Sequence, residues 1–379
     1  MRGAFLAIAS AAADAARRWC DPDFPPRVRV LEPIRERTGY SIPMVEYALD
    51  RLFGAITREA FETTIAREIG ARETRPVGRV AIVSSRTTIG VAIAPALFAI
   101  CAGCDVLVKD REDNLVRAFF ETLAEELGSS GSFRAEAWHG PQRDLCEFDA
   151  VVVFGTDETL RSIRERIALS SRFIPYGPAC SIGYVTREAL VDEASALHIA
   201  EGAARDLVLY ESEGCLSLHA LFAEPGGNVD PEGFGRLLAH AFERANVEFP
   251  IDANRTDSAR RMTQRDLALF RSTLIASDGE ARYVLERGVH DRAPAFLPRV
   301  LALHVVDEPA QMLEYVRLHR LPLEACALAS ARDDVTAAAR AAGAHRIAQF
   351  GALQDPPLDH AHGGRPRIAE FVRFVRDDA

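Results

Sequence analysis

The stretch that decides the fold is residues 79–109, which read RVAIVSSRTTIGVAIAPALFAICAGCDVLVK. It begins and ends with short β-branched runs, 79–84 and 105–109, that are typical of buried strands, and the apolar run 89–100 between them predicts a helix. The same rhythm continues, with strands predicted at 150–154 and 181–185 and helices at 114–128 and 158–169. Strands that alternate with helices in this way form a parallel, doubly wound sheet, which binds nucleotide cofactors beyond the carboxyl ends of its strands.

Length and composition limit the class of protein. The chain has 379 residues, 48% of them hydrophobic and 26% charged, which suffices for a large core in one or two α/β domains. The apolar stretches are shorter than the roughly 20 residues that a membrane helix needs, and residues 1–16 resemble the start of a helix more than a signal peptide. A net charge of −10 argues against binding to nucleic acid or anionic membranes. The seven cysteines are scattered and odd in number, which indicates free thiols and a cytoplasmic location.

The flanking sequence predicts the remaining domain organisation. The first 75 residues have helical periodicity, and strands and helices alternate again from residue 187, which indicates a second α/β domain. We expect a helical segment at 1–75, a Rossmann-like cofactor domain at 76–186, a catalytic domain at 187–345 and a C-terminal segment at 346–379. Beyond residue 187, helices are predicted at 192–209, 232–246, 263–270, 309–318 and 368–375, strands at 300–306 and 325–329, and an apolar run at 216–223.

The basic residues are distributed unusually. Of the 45 basic residues, 44 are Arg and only Lys109 is Lys. Arg replaces Lys at little cost on most surfaces, whereas a compact ammonium group in a tight site is not interchangeable with a planar guanidinium. Lys109 therefore indicates a site that needs Lys, with a chance surface residue as the alternative.

Familiar catalytic signatures are missing. The turn after the first strand, Ser84–Gly90, carries no Gly-x-Gly-x-x-Gly, and the chain contains no P-loop, His-Glu-x-x-His or Gly-x-Ser-x-Gly motif. Cys101 and Cys104 form a Cys-x-x-Cys pair without a second pair, so they indicate structural thiols, and no metal site is expected.

Cys215 stands in a different setting. It ends the polar link YESEGC, residues 210–215, which follows a long predicted helix and precedes an apolar run. Gly214 allows the backbone to approach a substrate closely, and the amide of Cys215 can donate to a developing oxyanion. A cysteine in such a link is more often structural, so its interpretation depends on the surrounding pattern.

That pattern resembles the aldehyde dehydrogenase superfamily, and most closely its acyl-CoA reductase branch, which includes the fatty-acid reductase of bacterial bioluminescence. Five segments are similar to the superfamily in order and spacing, over about residues 75–379. Residues 203–217 resemble the segment with the catalytic nucleophile, and residues 90–109 resemble the segment that contacts the cofactor. Residues 151–159 resemble the strand beside the cofactor phosphates, and residues 176–183 resemble the strand that leads to the catalytic domain. Residues 346–357 with 362–364 resemble the C-terminal signature of the branch. The resemblance implies an aldehyde-dehydrogenase-like α/β fold with a doubly wound, Rossmann-like cofactor domain and an α/β catalytic domain.

The resemblance also implies a cofactor site. Lys109 matches the Lys that contacts the adenosine ribose, while Gly155 and Thr156 match the turn beside the phosphates. Arg111 favours NADPH if it faces a 2′-phosphate, whereas Glu112 repels that group, and a solvated charged loop is an equal interpretation. Thr156 is explained equally well as the cap of the following helix.

Three positions depart from the family pattern. The Asn that donates to the oxyanion falls at about Thr87, the water-activating Glu falls near Tyr176 or Gly177, and the Glu that holds the nicotinamide ribose has no counterpart at 297–299. Absence of a water-activating base fits thioester chemistry, because an acyl-enzyme that is to be reduced must not be hydrolysed first.

We therefore predict an NADPH-dependent reductase that converts an acyl-CoA or acyl-carrier-protein thioester to an aldehyde through a thioester on Cys215. Glu211 and Glu213 are candidate proton shuttles or, alternatively, surface charges at a helix end, and His219 is a core histidine or a partner of the thiolate. The alternatives are an NAD(P)-dependent aldehyde dehydrogenase, which needs a water base, and a weakly catalytic subunit that binds an acyl-activating enzyme or carrier protein. A homo-oligomer is compatible with each of them.

Overall fold

A computed structural model describes residues 2–129, 131–138, 144–252, 274–276, 282–287, 293–294 and 296–375. The chain divides into two compact units, a first unit of residues 1–178 with 357–379 and a second unit of residues 179–356. This division groups the residues differently from the four segments expected from the sequence. The N-terminal helices and the last residues of the chain both belong to the first unit.

The first unit begins with four helices, α1 (Arg2–Trp19), α2 (Pro25–Thr38), α3 (Ile42–Gly54) and α4 (Arg58–Glu68). These four helices all lie within the segment 1–75 for which helices were expected. Proline lies in the first turn of α2 and of α3, where its missing N–H has no partner to lose. Trp19 is fully buried, its ring centroid lies 4.8 Å from that of Phe53, and its Nε1 donates to Thr122 Oγ1 over 3.0 Å. These contacts pack the N-terminal helices against the helix that contains Thr122, Leu115–Leu127.

A five-stranded sheet follows, and all of its described pairings are parallel. After the short strand β1 (Thr74–Pro76), the elements are β2 (Arg79–Val83), α5 (Ile93–Cys101), β3 (Asp105–Lys109), α6 (Leu115–Leu127), β4 (Phe133–Glu136), β5 (Ala150–Phe154), α7 (Asp157–Arg164) and β6 (Arg172–Tyr176). The strand order is β4-β3-β2-β5-β6, which is the predicted doubly wound arrangement.

Two helices of this unit are shorter than predicted. Helix α5 begins at Ile93 instead of residue 89, because Gly90 adopts a left-handed backbone with φ 63° and interrupts the helical turn. Helix α7 ends at Arg164 instead of residue 169. The strands β4 and β6 were not predicted from the sequence.

The second unit is built on a seven-stranded sheet with the order β13-β12-β7-β8-β11-β10-β9. Its pairings are parallel except that of β9 with β10. Its elements are β7 (Cys180–Val185), α8 (Glu193–Val208), β8 (Leu218–Ala223), α9 (Pro231–Glu248), β9 (Leu274–Ala276), β10 (Arg282–Arg287), β11 (Val300–Val305), α10 (Pro309–His319), β12 (Leu323–Leu328), α11 (Asp333–Ala341) and β13 (Arg346–Ala348). The helix predicted at 263–270 lies outside the described residues.

The predicted closing helix at 368–375 is wrong. A single 3-10 turn, Ala369–Phe371, leads instead into strand β14 (Val372–Phe374), which pairs antiparallel with β1. The Glu68 carboxylate accepts the backbone N–H groups of Arg367, Ile368 and Ala369. These bonds hold the residues at the start of the turn, and the residues that follow it form a strand by pairing with β1.

Among the described residues, no helix is both long and apolar enough to cross a membrane. The same residues contain no cluster of three or more His, Cys, Asp or Glu side chains arranged to hold a metal ion.

Candidate active site

Cys215 lies in a tight turn immediately before β8. Ser217 N donates to Gly214 O over 3.0 Å, and Gly214 N donates to Ser217 Oγ over 3.1 Å. From the neighbouring strand β7, Ser181 Oγ donates to the carbonyl oxygen of Cys215 over 3.0 Å. We call residues 214–217 the nucleophile turn. Cys215 is half-buried there. The bonds between Gly214 and Ser217 and the bond from Ser181 fix the position of its backbone.

The chain enters the nucleophile turn through a left-handed segment. Tyr210, Glu211 and Ser212 have φ values of 56°, 53° and 57°, a conformation that costs about 1–2 kcal/mol per non-glycine residue. The guanidinium of Arg299 compensates, because its Nε and Nη2 donate to the two carboxylate oxygens of Glu211 over 3.1 and 2.6 Å. Arg299 N also donates to Ser212 Oγ over 2.9 Å, and both members of the ion pair are 1% exposed. Arg299 therefore fixes the entry to the nucleophile turn.

The two candidate proton shuttles lie in different environments. Glu211 is buried in the ion pair with Arg299, which gives it a structural role that the sequence did not predict. Glu213 is exposed. A proton-transfer role for either residue stays a prediction.

The C-terminal signature segment also bonds to the nucleophile turn, through Asp206 and Gln354. We call this set of hydrogen bonds the Asp206 brace. Asp206, on the last turn of α8, accepts the N–H groups of Gly351 and Leu353 over 2.7 and 3.0 Å. Gln354 Nε2 then donates to Asp206 O over 3.2 Å and to Ser217 Oγ over 3.0 Å. The signature segment is therefore linked by hydrogen bonds to the nucleophile turn, about 140 residues earlier in the chain.

The bonds of Asp206 and Gln354 were not predicted, although the sequence contains a signal for them. Asp206 follows Ile199 and Ala203 at helical spacing, so a carboxylate occupies the apolar face of α8. On the same helix, a Cβ at Gly202 would lie 2.6 Å from the backbone of Phe350. A charged residue and a glycine on an apolar helix face together indicate close backbone contact.

The electrostatic setting of Cys215 opposes thiolate formation. Burial raises the pKa of the Cys215 thiol to about 12, and the Glu324 carboxylate raises it further. Burial also lowers the pKa of His219 to about 4, and the ring of His219 packs on Phe296 at a centroid distance of 5.0 Å. His219 is thus neutral at pH 7 and buried, as expected of a core histidine, although its Nδ1 has no hydrogen-bond partner among the described residues. Cys215 rests as a thiol and needs a proton acceptor to react.

The cofactor candidates belong to the first unit. Lys109 ends strand β3, and its Nζ lies 5.7 Å from the ring centroid of Trp138. Burial lowers the pKa of Lys109, and the nearby cations Arg111, Arg166 and Arg86 lower it further. Positive charges thus accumulate at the carboxyl end of a parallel strand, where a nucleotide phosphate fits both the charge and the fold.

The side chain of Arg111 is hydrogen-bonded to the turn that follows β2. Its guanidinium donates to the carbonyl oxygens of Ser84 and Ser85, so contact with a 2′-phosphate stays a prediction for this residue. In the same turn, the hydroxyl of Tyr40 donates to the carbonyl oxygen of Thr87 over 3.0 Å. Thr87 is exposed, and its expected place in an oxyanion hole also stays a prediction.

Gly155 and Thr156 follow strand β5. Gly155 N donates to Tyr176 O over 3.1 Å, and a Cβ at Gly155 would come within 3.0 Å of Thr159. The side chain of Thr156 accepts from Thr159 N and caps α7. Both structural explanations hold, and the predicted contacts with cofactor phosphates are untested.

Tyr176, one of the two positions at which the resemblance places the water-activating Glu, belongs to an aromatic stack. Tyr176 lies parallel to Phe154 at a centroid distance of 4.6 Å, and its ring lies 4.6 Å from that of His362. Burial raises the pKa of Tyr176, so the phenol stays protonated. His362 belongs to the C-terminal signature, which thus contributes to both units.

The burial of Asp206 predicts how the free energy of unfolding depends on pH. Burial raises the pKa of Asp206 from 3.8 to about 7, so its contribution to the free energy of unfolding is full below about pH 4 and is lost as the pH rises through 7. Asn does not titrate. The stability of wild type relative to Asp206→Asn, measured by urea unfolding, should therefore fall between pH 4 and 7.

Asp192→Asn is the matched control on α8. Hydrogen bonds from Ser195 lower the pKa of Asp192, so the stability of wild type relative to this variant should rise with pH in the acidic range. A difference for Asp206→Asn that does not change with pH would contradict the account of the brace.

Comparison with known proteins extends this description. A family model described as acyl-CoA reductase (LuxC) matches residues 138–374. A comparison with curated proteins found no match. An oxidoreductase from Marinobacter aquaeolei has a similar structure, with a TM-score of 0.72 and 14% identity over 98% of this chain and 84% of that one.

Two further solved structures are similar. Aldehyde dehydrogenase 21 from Physcomitrella patens, in complex with the reaction product succinate, has a TM-score of 0.72 and 12% identity over 98% of this chain and 85% of that one. An NAD-dependent benzaldehyde dehydrogenase from Corynebacterium glutamicum has a TM-score of 0.69 and 13% identity over 98% and 84%. At identities this low, the structural similarity establishes a shared fold alone. The predicted aldehyde-dehydrogenase-like fold is thereby confirmed. Since the family model covers well over half of its residues, the chain belongs to the acyl-CoA reductase (LuxC) family.

Proposed function

We propose that this protein is an NADPH-dependent acyl-thioester reductase that forms an aldehyde through a thioester on Cys215. The observation that carries the proposal is the nucleophile turn, where Ser181, Ser217 and the Arg299–Glu211 pair hold a half-buried thiol in one place. A thiol held rigidly is pre-organised for attack, so less entropy is lost when the substrate reacts.

The proposed reaction has two halves. In the first, Cys215 Sγ attacks the thioester carbonyl carbon of an acyl-CoA or acyl-carrier protein, the thiol proton is removed, and the carrier thiolate leaves and is protonated. In the second, bound NADPH supplies a hydride to the acyl carbon. The C–S bond of the resulting thiohemiacetal then breaks, the aldehyde leaves, and Cys215 regains a proton. The backbone amide of Cys215 is the candidate donor to the oxyanion in both halves.

Reduction is favoured over hydrolysis by the aromatic stack of Tyr176 with Phe154 and His362. Hydrolysis of an acyl-enzyme requires a base that deprotonates water. A buried phenol with a raised pKa is protonated at neutral pH and does not serve as that base. This observation supports a reductase over the aldehyde dehydrogenase alternative.

NADPH is favoured over NADH by the charges around Lys109. Of the charges that act most on Lys109, three are cations, Arg111, Arg166 and Arg86, and one is a carboxylate, Glu112. An excess of cations suits a 2′-phosphate, whereas the unmodified ribose of NADH gains less from them. Lys109 is the one Lys of the sequence, and its compact ammonium group is not interchangeable with the guanidinium of Arg in a tight site.

Acylation of Cys215 is tested by intact mass. Incubation with an acyl-CoA in the absence of NADPH should add one acyl group to the wild type and none to Cys215→Ala, because the nucleophile is missing. Cys146→Ala removes an exposed thiol and should retain the adduct. An adduct that persists in Cys215→Ala overturns the assignment.

Cofactor recognition is tested at Lys109 by calorimetry. Loss of one charge-assisted contact costs about 1.5–3 kcal/mol, so Lys109→Ala should weaken NADPH binding roughly tenfold to a hundredfold and NADH binding less. Arg134→Ala, which removes an exposed cation from strand β4, should leave both affinities unchanged. Unchanged NADPH affinity in Lys109→Ala would remove this residue from the cofactor site.

A further inference from the structure

Glu324 is a buried carboxylate on β12, the strand next to the edge strand β13 of the second sheet. It is 2% exposed, and it is the charged residue of an otherwise apolar strand, β12, with the sequence LEACAL. A glutamate is rarely buried to this extent unless it is paired or has a function. The pairing of β12 with β7 shifts between Leu323 and Ala325, so Glu324 stands at a β-bulge. Bulges redirect a side chain and are frequent beside active sites.

The neighbours of Glu324 connect it to the nucleophile turn. On one side of β12, His345 N donates to Glu324 O over 3.1 Å, and Arg346 is in register with Ala325. On the other side, the bulge faces Ser181 of β7. Ser181 Oγ donates to the carbonyl oxygen of Cys215 over 3.0 Å. Glu324 thus lies between strand β13, which carries the cation Arg346, and strand β7, which bonds to the nucleophile turn through Ser181.

The electrostatic interactions of Glu324 agree with this placement. Its carboxylate raises the pKa of Cys215 and also opposes the lowering of the pKa of Arg346 that burial causes. Asp206 and Asp355 act on Arg346 in the same direction, and Cys180 acts weakly on Cys215. A carboxylate so placed does not stabilise a resting thiolate. It is suited to remove the thiol proton at the moment of attack.

We propose that Glu324 is the proton acceptor for Cys215 during acylation, a step that rests on the proposed function. As Sγ bonds to the thioester carbonyl carbon, the S–H bond breaks and its proton passes to the Glu324 carboxylate. The bond from the carbonyl carbon to the carrier sulfur then breaks, the carrier thiolate is protonated, and Glu324 returns to its carboxylate form. The positive charge of Arg346, on the neighbouring strand β13, attracts the Glu324 carboxylate. The free thiol of coenzyme A or of the carrier is the other product.

The test measures two rates on the same variant, Glu324→Gln. The first is alkylation of Cys215 by iodoacetamide as a function of pH, which reports the thiol pKa without any acyl substrate. Removal of a neighbouring negative charge should shift this profile to lower pH and speed alkylation about threefold to tenfold at a fixed pH. The second is acylation by acyl-CoA, followed by mass, which should slow about a hundredfold or more because the base is missing.

Opposite changes in the two rates are the expected result. If alkylation and acylation both become faster, Glu324 acts only as a nearby charge, and if neither changes it has no role; either result overturns the proposal. Glu243→Gln, on the exposed face of α9, is the matched control and should change neither rate. Cys180 and Cys326 are buried and should stay unmodified, whereas their alkylation in Glu324→Gln would mean that the variant unfolds.

If Glu324→Gln unfolds, the test is made with Glu324→Asp. Glu324→Asp retains the carboxylate and should acylate faster than Glu324→Gln, and equal rates in two folded variants would overturn the proposal. His219→Gln removes the other nearby base candidate and should leave acylation within a few-fold of wild type, while a larger loss than in Glu324→Asp would assign the base to His219. Failure of wild type to acylate at all would overturn the proposed function itself, which distinguishes the two failures.

Discussion

The buried ion pair between Arg299 and Glu211 is the constraint on which the reactive part of the second unit depends. Three successive non-glycine residues in left-handed conformation reverse the chain between α8 and the nucleophile turn, and such a segment persists only where its surroundings compensate for the strain. Arg299 supplies two bonds to Glu211 and one to Ser212. Removal of one partner of a buried pair costs about 3–5 kcal/mol, so this reversal is a fixed feature of the fold.

The other braces act on the turn that this reversal presents. Ser181 holds the carbonyl oxygen of Cys215, and Gln354 holds Ser217 while it bonds to the end of α8. The result is a thiol with a fixed position and a pKa well above neutrality. A resting thiol is protected from adventitious oxidation and alkylation, because the thiolate is the reactive form. In the proposed mechanism, its activation is tied to the substrate and to the buried carboxylate of Glu324.

Much of the first unit was predictable, because β-branched runs such as 79–83 and 150–154 form buried strands wherever they occur. The position of Cys215 was also predictable, since a link between a helix and a strand is visible in the sequence. Asp206, Arg299, Glu324 and Gln354 were not, because each depends on partners far away in the chain and one sequence does not pair them. The closing strand was missed for another reason, because it has only three residues and forms by pairing with β1, about 300 residues earlier in the chain.

The central claim is that the acyl-enzyme is reduced faster than water attacks it, and discharge of pre-acylated enzyme tests this most directly. Acylated protein freed of excess acyl-CoA is divided among buffer, NADPH and coenzyme A, and the adduct is followed by mass while aldehyde and acid are measured. The account predicts an adduct that persists in buffer and is discharged as aldehyde by NADPH and as acyl-CoA by coenzyme A. Acid that forms in buffer as quickly as aldehyde forms with NADPH would contradict it.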